Sequence, residues 1–484
     1  MSCNHTPRPF TRRQALSMVG SGFGMLALSN LVQNSLAASA GSATGGVQGI
    51  LDKPHFKPRA KRVIFLFMNG GMSHVDTFDH KPMLEKYHGQ PMPGAAILTQ
   101  RKTGSLMQSP FKFDKYGKAG TEISELWPHV GGMADDICVI RSMYADIPNH
   151  EPCITMMNTG TNIIGRPSLG SWITYGLGSE NANLPGYVVL SPTQPLTIGS
   201  PLWSSAFLPA IHQGTYVKNE WIEGEPFKAA KVIPNVTNAD IDSAIQRRDV
   251  NFLKKLNEMH LAKLAEQDSQ LDASIKTMET AFQMQTEAPE VFDVSKESKE
   301  TLEMYGPGST ALGCLMAVRL AEKGVRMVQT YYGKGDPWDA HTDIMSYRKL
   351  AMDSDRPYAA VIKDLKQRGM LEDTLVIGGT EFGRTPAIQT ANESVAGGVV
   401  NGRDHNHYGF SIWLAGAGIK GGMTYGATDD FGYKAVEKKT HVHDLHATIL
   451  YLLGIDHTKL TYHYSGRNFR LTDTEGTVMH DIIG

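Results

Sequence analysis

Several stretches of the chain read as β-prone runs rich in apolar residues: Arg62 to Met68 (RVIFLFM), Ile137 to Tyr144, Val188-Val189-Leu190, Val325 to Tyr332 and Leu375 to Gly379. Continuous apolarity, rather than alternation, marks strands covered on both faces, as in a parallel sheet. Phe410 to Ala415 reads as a further strand, closed by Gly416-Ala417-Gly418. Helical patterns lie between the runs: Leu126 to Asp136, a short helix just after His150, a capped start at Ser168, Gly306 to Glu322, an amphipathic span from Asp353 to Arg368, and Val442 to Gly454. In the last of these Asp444 suits the cap and His446 reads as a first-turn surface residue. Repetition of strand, polar loop and helix predicts a doubly wound, mostly parallel α/β sheet with helices on both faces and an active site along the strands' C-terminal edge.

From Asn238 to Tyr305 the pattern turns polar and helical, nearly free of Gly and Pro, with Leu271, Ile275, Met278 and Phe282 on one stripe. That predicts a helical insertion at about 238–305. At the N-terminus, Arg12 and Arg13 precede a weakly apolar segment interrupted by Gly20, Gly22 and Gly24 and ended by Ala38-Ser39-Ala40. Paired arginines, modest hydrophobicity and a small-x-small end predict a twin-arginine signal over 1–40, export to the periplasm or an equivalent exterior, and the twin-arginine translocase as a partner. Residues 41–60 read as a linker, 61–475 as the domain and 476–484 as a tail.

The loops that follow the runs hold the candidate chemistry. After the first come Asn69, His74, Asp76 and Asp79; after Tyr332 come Asp339 and His341; past Gly379 come Glu381 and Arg384; before Phe410 stand Arg403, Asp404, His405 and His407. His150 opens the short helix, whose N-terminus favours an anion. Hard oxygen and imidazole donors in one set, Asp76, Asp339, His341, Glu381, Asp404, His405 and His407, suit zinc or manganese, with calcium as a further option. Arg384 and Arg403 are candidates to clamp an oxyanion bidentately.

Composition narrows the partners. Lys and Arg total 47 against 49 Asp and Glu, which gives no reason to expect nucleic acid or an anionic membrane. Once Cys3 leaves with the signal, Cys138, Cys153 and Cys314 remain, so a disulfide framework is excluded. No later stretch is long and apolar enough to predict a second span.

Seven motifs, FLFMNGGMSHVDTFD, NHEPCITMMNTGTNIIGRPSLGSW, SSAFLPAIHQGT, WDAHTD, DTLVIGGTEFGRTP, NGRDHNHYGF and HDLHATILYLLGI, occur in the order found in the domain family DUF1501, which the chain resembles over most of residues 60 to 475. That family is similar to the alkaline phosphatase and sulfatase superfamily, which implies an alkaline phosphatase-like fold and a metal site acting on phosphate or sulfate esters. DTLVIGGTEFG resembles the sulfatase pattern D-N-T-x-V-x-x-T-S-D-H-G, putting Glu381 where a metal-binding Asp stands and Phe382 where a His stands. HDLHATILYLLGI resembles a late sulfatase helix. HEPCITMMNTG resembles C-x-P-S-R-x-x-L-L-T-G, putting His150 at the nucleophile and Ile154 in place of an Arg. The hydroxyl or thiol that would attack in line is therefore missing. His150 is then metal ligand or nucleophile, the attacking group is a water on the metal, or the chemistry has been lost.

Two functions follow: an exported metal-dependent hydrolase of sulfate or phosphate esters, on a small-molecule or polysaccharide substrate, with His150, Arg384 and Arg403 in the catalytic set; or a sulfatase-like binding or assembly protein without catalysis. A redox protein ranks last, because haem-attachment and iron–sulfur cysteine spacing and a G-x-G-x-x-G fingerprint are all missing.

Overall fold

The computed structural model describes residues 49–94, 97–99, 101–193, 198–223, 243–261, 279, 282–284, 287–333, 335–390 and 401–484. The strands used below are β1 (Arg62–Phe67), β2 (Thr103–Leu106), β3 (Ile137–Tyr144), β4 (Tyr187–Ser191), β5 (Thr215–Lys218), β6 (Met327–Tyr331), β7 (Thr374–Gly379), β8 (Gly383–Gln389), β9 (Arg403–Asn406), β10 (Phe410–Ala415) and β11 (Met423–Tyr425). The helices are α1 (His150–Thr159), α2 (Leu169–Leu177), α3 (Ser309–Glu322), α4 (Tyr347–Gln367) and α5 (Val442–Leu452).

The main sheet runs β11-β3-β10-β7-β1-β6-β4-β5. β1 is its centre, paired in parallel with β6 and β7, and the parallel pairing continues through β4 to β5. The apolar run of β1 follows from that position. Ile64 and Leu66 face a core shared with α3 and α4, while Val63, Phe65 and Phe67 face a second core with α1, α2 and α5. Each such fully buried side chain contributes about 1.5–3 kcal/mol, so both faces of one short strand anchor both helix layers. The doubly wound, mostly parallel sheet with helices on both faces is thus present, and one strand departs from it. β10 is antiparallel to both β7 and β3. Its start therefore lies at the edge where the parallel strands end, which places residues 403–409 beside the loops after β1, β6 and β7.

Differences from the expected elements are local. Arg384 and Arg403 to Asn406, expected in loops, lie in β8 and β9, which with β2 form a small antiparallel sheet. A strand made of Arg, Asp, His and Asn shows no apolar run, so periodicity misses it. α4 begins at Tyr347, ahead of the expected Asp353, and carries Pro357. Of the helical insertion, Ser243–Leu261 and Lys299–Tyr305 are helices and the Arg247 guanidinium lies 4.7 Å from the Phe282 ring centroid; Leu271, Ile275 and Met278 fall outside the described residues, as does the signal at 1–40. Within the expected linker, Ile50 and Leu51 donate to the carbonyls of Tyr175 and Gly176. Among the described residues no helix is long and apolar enough to cross a membrane.

α5 corrects two expectations. His441 is its N-cap and Asp444 the third helical residue, accepting from the His441 N–H at 2.8 Å in a capping box. His446 is no surface residue: it is fully buried and its Nε2 donates to the Met157 carbonyl at 2.9 Å, because the first turn of α5 packs on α1. Burial pushes this imidazole down to about 3. The unfolded chain protonates it near 6.5 while the folded chain resists, so its contribution to stability is complete above pH 6.5 and falls as acid takes the pH toward 3. His446→Gln should lessen the loss of unfolding free energy between pH 7 and pH 5 by about 2 kcal/mol, read from guanidinium midpoints, whereas equal pH slopes in the two proteins would contradict this account.

Candidate metal centre

Four segments meet at the C-terminal edge of β1, β6 and β7. The loop after β6 brings Asp339 and His341, the turn after β7 brings Glu381, β8 and β9 bring Arg384 and His405, and α1 begins with His150. They close on one atom. Asp339 Oδ1 lies 2.8 Å from His341 Nε2, 3.1 Å from His405 Nε2, 3.3 Å from His150 Nε2 and 2.6 Å from Arg384 Nη2. His341 Nε2 and His405 Nε2 are 2.9 Å apart.

At His150 and His341 the other ring nitrogen explains why Nε2 faces inward. His150 Nδ1 lies 2.8 Å from Glu381 Oε1 and His341 Nδ1 faces Gln389 Oε1. A ring that donates through Nδ1 to an oxygen presents its Nε2 lone pair on the opposite side, the arrangement found behind metal-bound histidines. His150 Nε2 is buried without a hydrogen-bond partner. Three imidazole nitrogens and a carboxylate oxygen, all within 4.8 Å of one another, are turned on a shared point. Nitrogen and oxygen donors in that number fit zinc or manganese better than calcium, which prefers oxygen alone.

Arg384 is fully buried, and β8 holds it by its backbone partners: Nε donates to Gly71 O at 2.7 Å and Nη2 to Gly70 O. Gly71 sits at φ +68°, and a Cβ there would meet the Phe382 ring at 2.4 Å. The turn after β1 therefore needs glycine to turn its carbonyls toward the guanidinium. Burial opposes the charge on Asp339, yet Arg384 and the three imidazoles hold its carboxyl far below the usual carboxylate range. Burial also opposes charge on His150, but the carboxylates of Asp339 and Glu381 beside it outweigh that and lift it to about 9. His405 is pushed down to about 3 by burial, with the charges of Arg384 and His150 adding to it. One imidazole of the set thus stays neutral by environment alone.

Glu381 is fully buried and oriented by the Gly70 N–H at 2.9 Å and the Thr380 hydroxyl at 3.1 Å. It stands behind His150 and also groups with His150 and Asp336. Asp336, which no sequence motif marks, joins the site: burial, with Glu381 and Asp339 nearby, raises its carboxyl to about 6. Its signal was its place three residues before Asp339 in the same loop. Phe382 is fully buried, its ring centroid 4.8 Å from those of His150 and His405, so an aromatic wall stands where the resemblance implies a ligand.

The remaining candidates stand apart. Asp76 and Arg403, both fully buried, form a closed ion pair at 2.7 Å between Nε and Oδ2. The other guanidinium donors of Arg403 go to Asp76 Oδ1, Thr385 O, Pro386 O and Met107 O, leaving none for a substrate, so the expected oxyanion clamp at Arg403 is corrected. Asp404 accepts from the Arg101 N–H at 2.9 Å, with Oδ1 3.9 Å from His341 Nδ1, on the far side of that ring from the shared point. His407 lies against Tyr408, its ring centroid 3.9 Å away, outside the cluster. Among the first-loop candidates, His74 Nε2 donates to Gly432 O, Asp79 pairs with Lys81 at 3.0 Å, and Asn69 ties the loop after β6 to β1 through Gly333 O and Tyr332 N. The Cys153 thiol donates to Glu381 O, and burial raises it well above the ordinary thiol range, which removes it as a nucleophile.

These features define a doubly wound α/β protein with a histidine, carboxylate and arginine centre at the sheet's carboxyl edge. The chain belongs to the family described as "Protein of unknown function (DUF1501)", whose model matches residues 60–483. The sequence matches no curated protein. Similar solved structures include the PsFucS1 sulfatase from Pseudoalteromonas sp., at 12% identity over 82% of this chain and 68% of that one with a TM-score of 0.34. Others are the phosphonate monoester hydrolase SpPMH from Silicibacter pomeroyi (14%, 73% and 72%, TM-score 0.32) and the alkaline phosphatase of the Antarctic bacterium TAB5 (11%, 76% and 95%, TM-score 0.31). At such scores the roles of residues in this chain rest on its own geometry.

Glu381→Gln should weaken zinc or manganese binding by about 10- to 100-fold, since it stands behind His150, and His405→Ala by more; competition with a chromophoric chelator reads both. Binding unchanged in either variant would contradict the arrangement. Asp76→Ala should instead cost about 3–5 kcal/mol of stability by leaving Arg403 buried without its partner, measured by denaturant unfolding.

Proposed function

We propose that this chain is an exported, metal-dependent hydrolase of sulfate or phosphate esters. The observation that carries the reading is the closure of three Nε2 atoms on the Asp339 carboxylate. His150, His341, His405 and Asp339 would hold the divalent cation, zinc or manganese by donor type with calcium the poorer fit. Such a cation, when bound, supplies Lewis-acid polarisation of an ester oxygen and lowers the pKa of a water.

The chain's own residues favour an anionic substrate. α1 starts at His150 with no side-chain cap, so the positive end of a ten-residue helix lies at the cluster. Arg384 offsets the charge of Asp339, and Phe382 keeps water from one side of the rings. Asp336, partly buried and raised to about 6, stands next to Glu381 and His150 where a proton can be given or taken near neutrality. The N-terminal pattern supports passage through the twin-arginine translocase, with the domain over 61–475 acting outside the cytoplasm on a small-molecule or polysaccharide ester.

A second reading, a binding protein without turnover, is favoured by one observation: His150 stands where the resemblance puts the nucleophile, and the hydroxyl of Thr380 and the thiol of Cys153 are both tied to Glu381. Metal-loaded protein given 4-nitrophenyl sulfate and 4-nitrophenyl phosphate separates the two. The hydrolase reading expects release of nitrophenol that falls by about a hundredfold or more in Asp339→Asn. Stoichiometric metal with no turnover of either ester would leave the binding reading in its place.

A further inference from the structure

A second surface, built from other elements, carries the features of a ligand platform. Tyr462–Tyr464 and Arg467–Phe469 form a two-stranded antiparallel hairpin in which Tyr464 stands opposite Arg467. Its turn, Ser465-Gly466, has φ of 46° and 83°, the left-handed pair that closes a tight hairpin. Phe207 stacks on both tyrosines of the first strand, with ring centroids 4.9 Å from Tyr464 and 5.8 Å from Tyr462 and interplanar angles of 15° and 20°. Ala206, just before it, is held at φ 47°, a backbone state that costs a non-glycine residue about 1 kcal/mol or more. The stack fixes Tyr464, which is 48% exposed.

Beside this ring lies a hollow of about 320 Å³ with Ser200, Gln213, Gly165 and Phe207 in its walls. The guanidinium carbons of Arg166 and Arg467 both lie 4.0 Å from the Phe469 ring centroid. Arg467 is paired with Asp473 at 2.9 Å, but Arg166 has no carboxylate or hydrogen-bond partner among the described residues. Cations stacked on an aromatic face keep their edge N–H groups for an anion.

We propose that this surface binds an anionic saccharide, with the apolar C–H face of a sugar ring laid on Tyr464, its hydroxyls met by Ser200 and Gln213, and a sulfate group on Arg166. An exposed ring with polar walls suits a ligand that is apolar on one face and hydroxylated at its rim. A nucleic acid would stack on the same ring but needs a track of cations, and the chain's charges nearly balance, with one unpaired guanidinium here. The choice of sulfate rests on the ester-hydrolase reading; the platform itself does not.

Calorimetric titration of the full metal-loaded protein with a chondroitin sulfate hexasaccharide, its desulfated counterpart and inorganic sulfate tests this. The sulfated chain should bind more tightly than the other two. Tyr464→Ala should weaken both saccharides by about tenfold, and Arg166→Ala should bring the sulfated chain down to the level of the desulfated one. Both variants should keep their metal content and their turnover of 4-nitrophenyl esters, so a failure of the platform is separable from a failure of the hydrolase. Equal binding by the variants and the parent, no saccharide binding by the parent, or tighter binding of a single-stranded oligonucleotide would each overturn the proposal.

Discussion

The contact between the Asp339 carboxylate and the four nitrogen groups around it is the constraint on which the carboxyl edge of this molecule depends. A partly buried carboxylate is tolerated only when opposite charge and donors meet it closely. Arg384 supplies the charge at 2.6 Å, and Arg384 is itself held by the carbonyls of Gly70 and Gly71. The turn after β1, the strand β8 and the loop after β6 thus fix one another, and the imidazoles of His150 and His341 are aimed by the oxygens of Glu381 and Gln389 behind them.

The sheet topology makes that meeting cheap in conformational terms. β1, β6 and β7 are parallel neighbours, so their loops leave the same edge side by side. β10 runs the other way and begins at that edge, which adds His405 from the segment before it. Segments some 190 residues apart in the chain, at His150 and His341, come together with no long arm reaching across the surface.

Much of this frame was legible from the chain alone, because a strand covered on both faces is rich in apolar residues without alternation, as Val63 to Phe67, Ile137 to Ile140 and Leu375 to Ile377 are. The loops after them could be picked out for the same reason. Pairing was not legible. β9 is Arg403-Asp404-His405-Asn406, a buried strand written in polar residues, where Arg403 is met by Asp76 and Asp404 by the Arg101 N–H, each more than three hundred positions away. Arg403 and Asp76 looked like site residues because they are polar and near the right strands; in three dimensions they neutralise one another. His446 looked like a surface residue because a first helical turn is usually wet, and only the packing of α5 on α1 buries it. Asp336 carried no motif of its own.

The account stands on His150, His341 and His405 sharing one cation with Asp339. X-ray absorption at the zinc or manganese edge of the loaded protein tests that most directly. Three imidazole shells with a low-Z oxygen beside them, reduced to two imidazoles in His341→Ala, is the result expected. A spectrum without imidazole scattering, or one unchanged by that substitution, would contradict it.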